Sequence, residues 1–121
     1  VNEIRRRGVK LEIAAAGWSR KLGDAKLDVI WPPKGRIFST SNDNSLILSI
    51  RSGGRRVLLC GDAAEQSMSD MPDTHLDPSA AVLDLPHHGS FNPAAPRWLQ
   101  AVHPQHVADF GLHVEKGRRR L

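Results

Sequence analysis

The sequence contains no tyrosine, a single cysteine and no long hydrophobic run. Because Cys60 is alone, no disulfide can form within the chain, which excludes a disulfide-stabilised secreted scaffold. No window approaches the ~20 apolar residues of a membrane-spanning helix, and the first residues do not resemble a signal peptide. Only three tryptophans and three phenylalanines are present, so stacking on bases is not favoured as a mode of nucleic-acid binding.

The length and charge are those of one small basic domain. The chain has 121 residues and carries 17 Lys and Arg against 13 Asp and Glu. It starts at Val1 rather than at Met, which suggests a fragment of a longer protein. The positive excess suits a polyanion such as DNA, although solvated ends and one basic turn would explain it equally well. Because the arginines are scattered along the sequence, we expect any DNA binding to be weak and electrostatic.

The first half of the chain has the patterns of β-strands. Apolar residues alternate with polar ones at 9–13 and again at 26–31, where Leu27, Val29 and Trp31 are predicted to share one side. The segments 46–50 and 56–60 flank the turn Ser52-Gly53-Gly54 and predict a β-hairpin.

The second half alternates helix and strand signals. We predict a helix at 63–71, a buried strand at 80–85 and a helix at 92–102 with Trp98 and Leu99 facing inward. The fold class is therefore α/β, with a mixed sheet and helices on one face. We place one domain at 1–104 and a basic, poorly ordered tail at 105–121.

Two strand ends carry side chains with ligand chemistry. Gly61 allows a sharp turn after the strand that ends near Cys60, and Asp62 then presents a carboxylate; capping of the next helix is the simpler explanation for this aspartate. His87 and His88 leave the following strand, where we expect them at the same edge of the sheet as Asp62. They are either turn histidines or ligands for zinc, manganese or iron. Because adjacent side chains diverge, we expect one histidine to bind metal and the other to orient a neighbour or to contact substrate.

A third polar segment, Asn42-Asp43-Asn44-Ser45, precedes the hairpin. It is either an Asx-type turn or a source of amides for the shell around a metal. Cys60 lies inside a predicted buried strand, so we expect a core thiol.

Four motifs in this order resemble the metallo-β-lactamase-like domain of ComEC-family DNA-uptake proteins. The resemblance covers about 9–102, and the motifs are LDVIWPP at 27–33, NDNSL at 42–46, GRRVLLCGD at 54–62 and LPHHGS at 85–90. The resemblance implies an αββα sandwich with a metal site between its sheets, in a soluble domain attached to a membrane channel of the bacterial inner membrane. The implied activity is metal-dependent hydrolysis of DNA during transformation.

The resemblance also implies roles for particular residues. Asp62 matches a carboxylate that bridges metals, and His87 or His88 matches a later histidine ligand, so these three are the predicted catalytic and metal-binding residues. Asn44 and Ser90 are predicted to contact substrate. The expected cofactor is a divalent metal, Zn or Mn, in a site that this chain completes only in part.

The chain also departs from the family pattern. The His-x-His/Asp-x-Asp-His motif that supplies most ligands occurs nowhere in the chain and is expected upstream of Val1. The chain is thus predicted to be the C-terminal half of the sandwich, with an apolar sheet face that the missing N-terminal half covers or through which copies self-associate. Alternatives are a truncated, non-catalytic module that docks DNA or a partner chain, or another metallo-hydrolase of this fold, such as a phosphorylcholine esterase or a lactonase.

Overall fold

The computed structural model describes residues 1–90 and 92–109, together with the backbone of 113–115 and 118–120. The elements, in chain order, are α1 (Asn2–Arg6), β1 (Ser19–Leu22), β2 (Ala25–Trp31), β3 (Ile47–Ser52), β4 (Arg55–Leu59), α2 (Glu65–Asp70), β5 (Val82–Asp84), α3 (Ala95–Val102), β6 (His106–Ala108), β7 (His113–Glu115) and β8 (Arg118–Arg120). Short 3-10 helices lie at Asn42–Asn44 and Met71–Asp73, and a turn with non-helical dihedral angles lies at Pro86–Gly89.

Strands β1 to β6 form one mixed sheet in sequential order. The pairs from β1 to β4 are antiparallel, whereas β4, β5 and β6 run parallel to one another. Parallel neighbours require crossover connections, and α2 and α3 are the helices of these crossovers. The predicted mixed α/β class is confirmed.

The core lies between one face of this sheet and the helices α2 and α3. The fully buried strand residues Ile47, Leu58 and Leu83 pack there with Met68 of α2 and Trp98 of α3. On the opposite face several apolar side chains remain partly exposed, among them Leu27, Leu48, Ile50, Val57, Leu59 and Val82. Among the described residues, no helix has the length and apolar character needed to cross a membrane.

The β3–β4 hairpin is confirmed at the predicted turn. Gly53 and Gly54 have φ angles of 58° and 76°, the left-handed values that a two-residue hairpin loop needs at both positions. The turn therefore determines which residues of β3 and β4 pair.

The predicted strand at 9–13 is not formed. Residues 9–15 have no regular secondary structure, and Ile13 is 98% exposed. The partner of β2 is instead Ser19–Leu22, which a tight turn at Gly23 joins to it. Alternation is compatible with a strand, but here a neighbouring segment with a shorter connection pairs with β2.

Two other details differ from the sequence-based prediction. A shift of register between Val29 and Trp31 pairs Trp31 with Ile47, so Trp31 faces the helices while Val29 pairs with Leu48 on the opposite face. On α3, Trp98 is buried as predicted, but Leu99 is 38% exposed.

The sheet also extends past the predicted domain boundary at 104, because β6 pairs with β5. Residues 110–112, 116–117 and 121 of the predicted tail lie outside the described residues.

Candidate functional site

The candidate site lies at the edge of the sheet where the parallel strands β4, β5 and β6 end. Asp62 follows β4, His87 and His88 follow β5, and Asp109 follows β6. Because the carboxyl ends of parallel strands meet at one edge, these side chains converge there. The sequence-based expectation that Asp62 and a histidine share this edge is therefore met.

Asp62 and His88 approach each other directly. The Asp62 Oδ1 atom lies 3.6 Å from His88 Nε2, and the two side chains are 53% and 61% exposed. This separation is too long for a good hydrogen bond. It is close to the ~3.4 Å between two ligand atoms that each lie about 2.1 Å from a tetrahedral zinc ion. The pair thus has the spacing of two ligands of one metal ion.

His87 is directed elsewhere. Its Nε2 atom lies 3.5 Å from the side-chain amide nitrogen of Asn42. Its backbone N–H donates a 2.9 Å hydrogen bond to the carbonyl of Gly61, which ties the loop after β4 to the loop after β5. His87 therefore holds the two loops together, while His88 presents its ring to Asp62.

The loop that carries the histidines has an unusual backbone. His87 and His88 have φ angles of 49° and 53°, in the left-handed region that costs about 1–2 kcal/mol for a residue with a Cβ atom. A hydrogen bond from Ser90 N to the carbonyl of His87 closes this turn. Such conformations persist where the surroundings impose them and are concentrated at functional sites.

Glycine is required on both loops. Gly61 has φ of 55° between β4 and Asp62. Gly89 has φ of 74°, and a Cβ atom there would lie 3.3 Å from Leu85 Cδ1. Both turns therefore depend on a residue without a side chain.

Asp43 has a structural role that the sequence analysis assigned to Asp62. Its carboxylate accepts hydrogen bonds from the backbone N–H groups of Ala64 and Ser67 and from the hydroxyls of Thr40 and Ser67. It thereby caps the N-terminus of α2 from a distant loop. The explanation of Asp62 as the helix cap is wrong, and Asp62 remains at the site edge beside His88.

The environment of Asp43 favours its ionised form. Burial tends to raise its pKa, but the hydrogen bonds from Thr40, Ser67 and Ala64 outweigh burial and hold the pKa below its usual value. The Asp43 carbonyl also accepts a 2.8 Å hydrogen bond from Trp31 Nε1. Asp43 therefore joins the loop at 38–44 to both the core and the helix α2.

Asn44 has the contacts of a loop residue. Its side chain accepts a hydrogen bond from Phe38 N and donates to the carbonyls of Phe38 and Thr40. These bonds close the loop at 38–44, as the alternative of a local turn predicts. The role of Asn44 in substrate binding stays a prediction.

Ser90 is exposed and lines an apolar cleft of about 480 Å³ together with Trp98 and Leu99. Ser90 follows the histidine turn directly, so the end of this turn lies in the same cleft as residues of α3. A substrate contact at Ser90 also stays a prediction.

Two acidic residues of this edge were missed by the sequence analysis. They are Asp84 and Asp109. Burial raises the pKa of Asp84, and the charge of Asp109 raises it further. The backbone N–H of Cys60 and the charge of His88 act in the opposite direction. An aspartate at the end of the apolar run 80–85 was a usable signal for Asp84. Asp109 follows β6, which has no periodicity in the sequence, so no local pattern pointed to it.

Cys60 is the core thiol that the sequence predicts. It is fully buried, and burial raises the pKa of its thiol, with a smaller contribution from Asp84. Cys60 is therefore not a ligand at the exposed edge.

The donor set fits part of a metal site. A carboxylate oxygen and an imidazole nitrogen are ligands that zinc and manganese accept, and the Asp62–His88 spacing suits them. In the part of the chain that the structure describes, no group of three or more His, Cys, Asp or Glu residues is arranged to hold a metal ion. A catalytic zinc uses three protein ligands, so further ligands would have to come from elsewhere.

Comparisons with known proteins give one informative similarity. No family model matches the chain. The chain is 26% identical over 101 residues to ComE operon protein 3 of Bacillus subtilis (strain 168), and the alignment covers 84% of this chain. It covers 13% of that protein, so the chain corresponds to a small part of a much longer relative. The aligned length includes both loops of the candidate site.

Proposed function

We propose that the chain is the C-terminal half of a metallo-β-lactamase-like domain in a DNA-uptake protein of the competence system. Support comes from the similarity to ComE operon protein 3 and from the four ordered motifs of the sequence. The observation that carries the proposal is the 3.6 Å approach of Asp62 to His88 at the edge where β4 and β5 end. In the complete domain the activity is metal-dependent hydrolysis of the phosphodiester bonds of DNA.

The residues of the site take distinct roles in this proposal. Asp62 and His88 are the metal ligands that this chain supplies, because their donor atoms face each other. His87 is a positioning residue, since its Nε2 lies near Asn42 and its N–H binds Gly61. When bound, the metal supplies a polarised phosphate oxygen and an activated water. Asp84 interacts electrostatically with His88, whose charge lowers the pKa of Asp84.

The same proposal gives the open sheet face a partner. Partly exposed apolar side chains, among them Leu48, Ile50, Val57, Leu59 and Val82, form a surface that an αββα sandwich would bury. The preceding half of the domain would cover this face and bring the remaining metal ligands. In the isolated chain the same face favours self-association.

Restoring the upstream half of the domain tests the proposal. The longer protein should cleave DNA only with added zinc or manganese, and Asp62→Asn should abolish cleavage because it removes a ligand charge with little change of volume. Asp24→Asn is the matched control, since Asp24 is an exposed aspartate at the β1–β2 turn. Unchanged cleavage by the Asp62→Asn protein would refute the site.

A non-catalytic module is the second candidate. It is favoured by the finding that the described residues contain no group of three metal ligands. A module of this kind would bind DNA or a partner chain in either length, and the longer protein would not cleave DNA at any metal concentration. The cleavage assay above therefore separates the two candidates.

A further inference from the structure

The register of the sheet aligns four basic residues that are scattered in the sequence. Lys21 of β1 pairs with Lys26 of β2, Lys26 pairs with Arg51 of β3, and Arg51 pairs with Arg56 of β4. Directly paired residues of adjacent strands point to the same face of a sheet. Since neighbouring strands lie about 4.8 Å apart, the four side chains form a straight row roughly 14 Å long. We call Lys21, Lys26, Arg51 and Arg56 the basic row.

This arrangement works against the stability of the sheet, because like charges placed directly opposite each other repel. Two carboxylates offset part of the charge: Asp28 lies 3.7 Å from Lys26, and Asp77 lies 2.9 Å from Arg56. No described carboxylate lies within ion-pair distance of Lys21 or Arg51. The basic row therefore keeps an excess of two positive charges.

The neighbouring row on the same face has a different composition. There Asp28, Ser49 and Leu58 are paired across the same strands, with no basic residue among them. Of these two rows, only the basic row therefore carries a positive charge on each of the strands β1 to β4.

Three of the four members of the basic row lie in a groove, which Asp28 also lines. Lys26, Arg51 and Arg56 line a concavity of about 270 Å³ between the sheet and the segment that contains Leu76 and Asp77. Arg56 also lines a second cavity of about 530 Å³, together with Arg55 and His103. Arg55 therefore adds a further positive charge beside the end of the basic row.

The shape of the basic row selects its ligand. A single phosphate ion is bound by donors that converge on one point, whereas these donors are spread along a line. An anionic membrane presents a broad flat surface, which reaches side chains inside a groove poorly. We propose that the basic row binds the phosphate backbone of a single nucleic-acid strand.

The identity of this polyanion rests on the proposed function, in which DNA is the substrate. Arg56 precedes Asp62 by six residues, so a strand on the basic row lies within about 20 Å of the Asp62–His88 pair. The basic row would then hold the nucleic acid beside the site rather than take part in hydrolysis.

Salt-dependent binding of a fluorescent oligothymidylate to the 121-residue chain, followed by anisotropy in EDTA, tests this inference. For single strands, each phosphate contact contributes about 0.7 to the slope of log K against log salt concentration. The variant Lys26→Gln with Arg51→Gln should lower that slope by about 1.4, and Lys21→Gln alone by about 0.7. Lys21 lies on the exposed edge strand, so its variant tests the basic row even if the double variant folds poorly.

The matched control is Arg6→Gln with Arg7→Gln, which removes the same charge from α1 and its C-terminal end, where both arginines pair with Glu3. An equal change of slope in both double variants would show that binding depends only on the net charge of the chain, and it would overturn the inference. Tighter binding of duplex DNA, or loss of binding to phosphatidylserine vesicles without loss on the oligonucleotide, would overturn it as well. The titration in EDTA reports on the basic row alone, whereas metal-dependent cleavage by the longer protein reports on the Asp62–His88 pair, so failure of the metal site and failure of the basic row are distinguishable.

Discussion

Replacing Asp43 by alanine should lower the free energy of unfolding by about 2–4 kcal/mol, the combined cost of a lost helix cap and of a buried donor left without an acceptor. The carboxylate is 5% exposed and accepts four hydrogen bonds, from Thr40 Oγ1, Ala64 N, Ser67 N and Ser67 Oγ. Loss of the cap on α2 alone accounts for about 1 kcal/mol. The rest comes from buried donors of Ser67 that are left without an acceptor.

Asp43→Asn should cost less, about 1–2 kcal/mol, because one oxygen still accepts from the helix N–H groups while the charge is lost. The assay is urea unfolding followed by tryptophan fluorescence, since Trp31 donates to the carbonyl of Asp43 and reports on this loop. Asp24→Asn removes the same charge from an exposed turn and should change stability little. A loss below about 1 kcal/mol for Asp43→Ala would refute the assigned role.

The same carboxylate gives a signed dependence on pH. The pKa of Asp43 is lower in the folded than in the unfolded chain, so its contribution is fully present above the unfolded pKa near 3.8. It is lost as the pH falls through the lower folded value. The stability difference between the native chain and Asp43→Ala should therefore shrink as the pH falls below about 4. A difference that stays constant over this range would contradict the proposed charge.

Three further predictions concern the core and the site loops. Cys60 should react with a thiol reagent only after unfolding, because burial raises the pKa of its thiol; rapid labelling of the native chain would contradict this. Gly89→Ala should lower the urea midpoint by an amount equivalent to about 1–2 kcal/mol, because φ is positive and the new methyl would lie 3.3 Å from Leu85 Cδ1. Leu58→Ala should cost about 2–5 kcal/mol in the same assay, and Leu59→Ala clearly less, since only Leu58 faces the helices; equal costs would refute the assignment of faces.

Local chemistry was enough to predict several parts of the molecule. The Gly53-Gly54 hairpin follows from the residues of the turn, because the two-residue loop needs positive φ angles at both positions. The shared edge of Asp62 and His88 follows from two strands that are connected by a helix and therefore run parallel. The hairpin is specified by the residues of one short turn, and the shared edge is specified by one strand–helix–strand unit.

Alternation of apolar residues was not enough to choose between competing strands. Residues 9–13 have the pattern but remain without regular structure, while Ser19–Leu22 pairs with β2 through the tight turn at Gly23. The register shift that turns Trp31 toward Ile47 is likewise invisible in the sequence, since a bulge is specified by the packing of the core.

Which residue performs a given role was decided by contacts between distant segments. Asp62 is adjacent to α2 in sequence, yet the carboxylate that caps this helix belongs to Asp43 on a loop more than twenty residues earlier. The choice of His88 over His87 for contact with Asp62 depends on the left-handed backbone of both residues and on the bond from His87 to Gly61. The sequence by itself placed Asp62 and the two histidines at the ends of strands, because glycine and proline mark those ends. Only the register of four strands placed Lys21, Lys26, Arg51 and Arg56 in one row, because pairing between strands brings together residues that no local pattern connects.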